Sequence, residues 1–322
     1  MHRRHALALG GLLPFAAAAQ SAEWPSQPVR MVVPFAAGGP TDVPARVVTE
    51  EMSRALPQRV IVENRTGSGI VIGTDVVAKA AKDGQTLLYT TIGHAVVRAL
   101  FDRVPFDPVR DFAPVALVGQ IPMVMMVHNS FPARTLPEVI AYLRANPGRV
   151  DYASSGNGGA LHLATELFLS QAGNLQANHV AFRGSAQAMP DVLAGRVPLM
   201  VDVAASALPF IQRGEMRAIA IATRERSAIA PNIPTFIEQG LAGFEAYTWH
   251  MVMAPAGTPP ATLRAVNAAV NRALAVENVR TRLTELAMQV VGDSTPESAA
   301  AFLNAEIAKW EPIIRQKGIK AD

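Results

Sequence analysis

The chain has 322 residues, half of them hydrophobic and 17% charged. That is enough to bury a core in one large or two medium domains. The absence of cysteine excludes a disulfide framework and thiolate metal or redox chemistry. A formal charge of +3, with no Lys/Arg-rich run and no basic stripe carrying aromatics, speaks against nucleic acid as a partner.

Residues 1–22 read as a cleaved secretory signal. His2-Arg3-Arg4-His5 is a basic start, residues 6–19 form an apolar run, and small residues stand at Ala17, Ala19, Ser21 and Ala22. The run is shorter than the ~20 residues a spanning helix needs, and its flanks are those of an export signal. A buried N-terminal helix is the alternative. Arg3-Arg4 admits twin-arginine as well as general export, and cleavage after Ala19 or Ala22 fits equally. The mature chain is expected in the periplasm, with 27 basic against 26 acidic residues.

Strand and helix signals then alternate. A strand at 29–33 enters the turn Pro34-Phe35-Ala36-Ala37-Gly38-Gly39-Pro40-Thr41-Asp42 and a helix from Thr41 to about Ala55. A short strand at 59–63 leads through Asn64-Arg65-Thr66-Gly67-Ser68-Gly69 to a helix over 73–80, followed by strands at 87–91 and 113–119. This order predicts a parallel sheet with helices on both faces. An apolar run at 123–128 and a helix over 135–146 come next. A second doubly wound unit follows: strands near 151 and 179 and at 199–202 and 218–222, and helices over 161–172, 185–194 and 205–213. One more strand covers 247–253, and beyond Pro259-Pro260 the chain reads as wholly helical. Those last helices have no sheet of their own, so they are expected to return to the first domain. The expected division is 23–122 with 251–322 around 123–250, and crossings near 121–125 and 247–252 form a two-stranded hinge.

Two glycine-rich turns carry the chemistry. Each runs from a strand into a helix: Gly38-Gly39 in the first half, and Ser154-Ser155-Gly156-Asn157-Gly158-Gly159 in the second. Helix N-termini offer unpaired amides and the positive end of the peptide dipole, so two such turns suggest a cleft gripping an anion from both sides. Thr41 and Asp42 are candidate N-caps; Asp42, being negative, is expected to hold the loop. Ser68, Thr90 and Thr91 fall at the same C-terminal sheet edge, where open α/β sheets bind ligands. In the middle unit Ser154 and Asn157 supply donors, His162 falls in the first turn of the next helix, and Phe182 and Arg183 lie in another strand-to-helix passage. Arg183 is the cation placed to finish an anion site, with a solvated loop arginine as the alternative. Asp202 ends a strand at the cleft edge, either to accept from a ligand hydroxyl or amine or only to cap the next helix. His94, His128 and His250 read as structural. No nucleophile elbow, phosphate loop or dinucleotide fingerprint is present. His162 and Glu166 at i, i+4 lack a third metal ligand, so no metal or cofactor is expected.

Many segments, in order, carry a resemblance. They are Trp24-Pro25, Val33-Pro34-Phe35 through Gly38-Gly39 to Thr41-Asp42, Val62-Glu63-Asn64-Arg65, Ile72-Gly73-Thr74, Asp83-Gly84-Gln85-Thr86-Leu87-Leu88 and Asp107-Pro108-Val109-Arg110-Asp111-Phe112. Further along come Gly156-Asn157-Gly158, His162-Leu163, Arg183-Gly184-Ser185, Ala254-Pro255-Ala256-Gly257-Thr258-Pro259 and Trp310. Over essentially the whole mature chain they resemble the periplasmic solute-binding proteins of tripartite tricarboxylate transporters, the Bug (Bordetella uptake gene) family. The resemblance implies a type II periplasmic-binding-protein fold: two α/β lobes, two crossover strands and a cleft that closes on its ligand. It further implies a monomer that captures a small carboxylate for the membrane subunits of a transporter, without covalent chemistry. Carried over, one side of the site is Phe35, Ala36, Gly38, Gly39, Thr41 and Asp42. The other is Ser154, Gly156, Asn157, Gly158, His162 and Arg183, with Asp202 at the floor. Where the family commonly has hydroxyl residues this chain has Gly159, Ala160 and Leu161. Phe182 replaces a tyrosine, and Val201 and Val203 replace Phe and Asn. Each hydrogen bond lost to a charged ligand group costs about 1.5–3 kcal/mol, so a less polar acid, aromatic acids included, is expected. Two other readings stay open: a receptor presenting its ligand to a membrane sensor, and an exported enzyme acting on a small carboxylate through His162 and Glu166.

Overall fold

A computed structural model describes residues 24–321; the segment read as a signal lies outside the described residues. The first sheet begins with β1 (Val29–Val33), whose apolar side chains are buried on both faces except at Arg30. β2 (Val60–Asn64) and β3 (Thr86–Thr90) pair with β1 in parallel. Every residue of β3 is buried, the pattern of a strand covered on both sides. The crossovers are α1 (Asp42–Ala55) and α2 (Val71–Ala78). α1 buries Ala45, Val48 and Met52, one stripe at helical spacing. A further helix, α3 (Gly93–Leu100), follows β3; the sequence reading left it out.

β4 (Phe112–His128) joins the two apolar runs read as separate strands into one of 17 residues. Its first half pairs antiparallel with β9 (Tyr247–Pro255), as far as Pro122 opposite Tyr247. From Met123 on it pairs with β7 (Leu199–Val203) and β8 (Met216–Ile221). Pro122, which has no N–H to give, stands at the handover between partners, where a sheet tolerates proline. The second sheet is completed by β5 (Asp151–Ser154) and β6 (Asn178–Ala181), parallel to each other, with β5 also parallel to β7. Its helices are α4 (Leu136–Ala145), α5 (Ala160–Gln171), α6 (Ser185–Leu193) and α7 (Ala204–Gln212). The strand order is β2-β1-β3-β9-β4-β7-β5-β6, with β8 on β4.

Two expectations need correction. The first sheet is not wholly parallel, because β9 enters antiparallel between β3 and β4. The C-terminal part is not wholly helical. Between α9 (Glu277–Glu285) and α10 (Pro296–Lys317) lies β10 (Gln289–Val290), which pairs with Gln120 and Gly119 of β4. Two residues carry too little pattern to be read as a strand. α8 (Pro260–Ala275) and α9 pack on α1, while α10 packs on β4 and α3. There the indoles of Trp249 and Trp310, both fully buried, each donate to Glu306 at 2.9 Å. Two such aromatics bury 150–250 Å² apiece, tying the C-terminal helix to the strands that connect the lobes.

Candidate functional site

Five helices begin at one cavity of about 760 Å³. Thr41, Ile92, Gly159, Gly184 and Val203 are the N-cap residues of α1, α3, α5, α6 and α7, and all five line it. None of these helices has a side-chain capping bond. α4 and α10 begin elsewhere, and there Thr135 and Thr295 accept from first-turn amides in the ordinary way. α2, α8 and α9 also begin without a capping side chain away from the cavity, so what sets the site apart is that five uncapped ends meet there. Among the described lining residues there is no Lys or Arg. The positive potential of the site therefore comes from main-chain dipoles.

The first turn is held from behind. Asp42, 1% exposed, accepts from the Gly38 amide at 2.8 Å, from Asn64 at 2.8 Å and from Arg46 at 2.7 Å. Asn64 also donates to the Phe35 carbonyl at 3.0 Å. Burial alone would raise the Asp42 carboxyl, but the hydrogen bonds from Arg46, Gly38 and Asn64 outweigh it and hold it below the usual range. Gly38 has φ +74°, a conformation glycine adopts without cost.

The second turn is held by an imidazole. The Gly158 amide donates to His162 Nδ1 at 3.1 Å, which leaves the ring proton on Nε2. His162 stacks on His179 with centroids 3.8 Å apart. Burial and then His179 bring its pKa down to about 4. The Ser154 hydroxyl accepts from the Gly156 amide at 3.1 Å. Glu166 receives the Tyr152 hydroxyl at 2.7 Å and the Lys317 ammonium at 3.0 Å. His162 and Glu166 therefore support the turn and its helix, and no group of three metal-ligating side chains occurs among the described residues.

Of the residues singled out from sequence, Phe35, Ala36, Gly38, Gly39, Thr41, Thr91, Gly158 and Asp202 line the cavity. Asp42, Ser154 and Gly156 stand behind its two turns. Asn157 and His162 line a separate crevice of about 440 Å³ beside Glu166 and Lys317. Three lie outside the lining: the fully buried Thr90, the exposed turn residue Ser68 and the half-buried Phe182. Arg183 is exposed and also outside the lining, which passes instead through Gly184 and Ser185.

Asp202 is fully buried at the cavity wall. It accepts from the Ser185 hydroxyl and, at 2.7 Å, from the Val203 amide. Burial raises its carboxyl, opposed by the bonds from Ser185, Ser206 and Val203. The sequence reading missed the α3 terminus at Ile92 and Gly93, and Thr248 and His250 on β9. A strand ending in Thr-Thr followed by Ile-Gly was the available signal for the first pair.

The buried histidines make stability pH-dependent. Burial lowers His94 and His162 to about 4 and His250 to about 3, whereas the unfolded chain titrates near 6.5. Below pH 6.5 the unfolded state takes up protons that the folded state refuses, so stability falls until about pH 4. Each imidazole contributes a slope approaching roughly 1.4 kcal/mol per pH unit. Denaturant titrations at pH 7 and pH 5 should show the loss, and His94→Leu should remove about a third of its histidine part.

The family described as "Tripartite tricarboxylate transporter family receptor" matches residues 44–319. Protein BugT of Bordetella pertussis is 37% identical over 300 residues, covering 92% of this chain and 91% of that protein. The solved structure of R. palustris Rpa4515 with adipate has a TM-score of 0.78 at 32% identity, over 92% of this chain and 99% of that one. MatC from Rhodopseudomonas palustris with bound malate has a TM-score of 0.75 at 36% identity, over 90% and 100%. With uncapped helix ends meeting between two α/β lobes, the chain belongs to the tripartite tricarboxylate transporter receptor family, whose Bug members are periplasmic binding proteins of this two-lobed fold.

Proposed function

We propose that the protein captures a carboxylate ligand in the 760 Å³ cavity and delivers it to the membrane subunits of a tripartite tricarboxylate-type transporter. One observation carries this reading: five uncapped helix N-termini meet at a cavity with no Lys or Arg among its described lining residues. Such an arrangement suits a carboxylate held by oriented amides, with Thr41, Thr91 and Ser155 adding hydroxyls. The similar R. palustris proteins, with adipate and with malate, support the ligand class. Residues 23–122 with 251–322 make up one lobe and 123–250 the other, with β4 and β9 crossing between them near 121–125 and 247–252. Capture and release then involve no covalent step. The chain is exported by its N-terminal signal and acts in the periplasm.

The walls favour a less polar acid. Phe35, Val43, Val96, Leu161, Leu163 and Leu286 surround the amide ends, and Ala160 and Val203 stand where hydroxyl and amide side chains are common in the family. A small polar di-acid would leave hydroxyls and carboxylate oxygens facing hydrocarbon. Thermal-shift and calorimetric screening tests both points. An acid with an apolar or aromatic body should bind one to one, unchanged, and at a hundred times its Kd add about 2.7 kcal/mol, several degrees in Tm. Stabilisation by citrate, malate or aspartate alone would overturn the apolar reading.

A further inference from the structure

We propose that His250 selects the ligand, its imidazole hydrogen-bonding an uncharged polar group on the acid, remote from the gripped carboxylate. The inference rests on the carboxylate reading above and adds to it the chemistry of the ligand's other end.

His250 lies on β9, two residues from Thr248, so both side chains share one face of the strand. Both line the cavity, together with Ile121 of β4. Thr90 pairs with Met251, and one step further along the two strands Thr91 and His250 also meet the cavity. The hinge strands thus form one wall, apart from the walls made by the helix N-termini.

The imidazole there is 2% exposed, and its Nδ1 is buried without a hydrogen-bond partner. Among the described residues neither ring nitrogen makes a hydrogen bond; the one ring contact is Tyr89, with centroids 5.6 Å apart. The Tyr89 hydroxyl is itself buried and unpaired. Buried polar groups in native proteins are nearly always satisfied, so an orphaned imidazole at a cavity wall calls for a partner. His94, outside the lining among Phe106 and Phe112, has an unpartnered Nδ1 too, but its Nε2 meets the Pro108 carbonyl at 2.8 Å; His250 differs in having no protein partner at either nitrogen and in facing the cavity.

The partner's charge follows from the surroundings. Burial brings the His250 pKa down to about 3, so the ring is neutral near pH 7. A neutral imidazole presents one donor and one acceptor, matching a hydroxyl, carbonyl or amide. A second carboxylate would face no cation among the lining residues and would share the cavity with Asp202. The ligand is therefore a monocarboxylate bearing a remote hydroxyl or oxo group on an otherwise apolar body.

Calorimetry with matched probes tests this: 4-hydroxybenzoate against benzoate, 6-hydroxyhexanoate against hexanoate, and adipate as the di-acid. In at least one pair the wild type should bind the hydroxy acid about tenfold more tightly than the bare acid. His250→Phe should abolish that preference, read as the ratio of the two affinities within the variant. His250→Gln, which keeps a donor and an acceptor, should retain part of it. As a check independent of variants, imidazole nitrogen NMR of the wild type should show His250 shifting with the hydroxy acid and not with the bare acid. A preference that survives His250→Phe, a still imidazole signal, or tighter binding of adipate than of either hydroxy acid would overturn the inference and leave the carboxylate reading standing. Failure of the wild type to bind any of these acids would overturn both.

Discussion

Gly158→Val should weaken ligand binding by about a hundredfold or more, roughly 2.7 kcal/mol, while both lobes stay folded. Gly158 has φ +69°, and a Cβ there would stand 2.6 Å from Leu100 Cδ2 and 3.0 Å from its Cδ1. Leu100 ends α3, which covers the first sheet, while Gly158 precedes α5 of the second, so the contact is between lobes. A side chain at Gly158 would have to push the Leu100 methyls aside where the two halves meet. A β-branched residue adds left-handed backbone strain of about 1–2 kcal/mol to the collision. Calorimetry with the acid that most stabilises the wild type measures the loss. The two causes separate in a double variant. Adding Leu100→Ala should restore about tenfold of the affinity if the collision dominates. No restoration would assign the effect to the turn alone, where the Gly158 amide also holds His162.

The same glycines explain what could be read from sequence. Both turns stood out because glycine clusters follow strand-like stretches, and that local chemistry placed Gly38, Gly39 and Gly158 at one cavity. α3 escaped for a related reason. It is only eight residues long and begins at Ile92 and Gly93 without a capping side chain, so it had neither length nor a cap to mark its start in the sequence. The absent cap that helps hide the helix leaves its amides uncapped at the cavity. Strand direction was illegible on other grounds. The pairing of β9 between β3 and β4 joins segments more than a hundred residues apart, and Pro122 interrupted the pattern of a strand that is continuous. His250 looked like any lone core histidine, because only the fold reveals that its nitrogens lack partners beside a cavity. For Arg183 the passage into α6 was legible, but the side chain's outward course was not.

Asp42 gives the second large effect. Asp42→Ala removes the acceptor shared by the Gly38 amide, Asn64 and Arg46. Two of these donors, the exposed Gly38 amide and the half-buried Asn64, tie the turn to its supporting strand through this carboxylate, and Asn64 would keep only its bond to Phe35. The expected cost is about 1–3 kcal/mol of stability and at least a hundredfold in affinity, because Gly38 and Gly39 would no longer hold their places at the cavity. Asp42→Asn should fail nearly as badly, since its NH₂ must face one of the donors that the carboxylate accepts. The pH dependence distinguishes this role from a ligand contact. The Asp42 carboxyl is held below its ordinary range in the folded state, so its contribution is complete above the unfolded pKa, near 4, and disappears as pH falls through the lower folded value. The stability gap between wild type and Asp42→Asn, from denaturant unfolding without ligand, should be constant above about pH 5 and narrow only below about 4. A gap absent without ligand and present only with it would make Asp42 a ligand contact instead of the strut of the first turn.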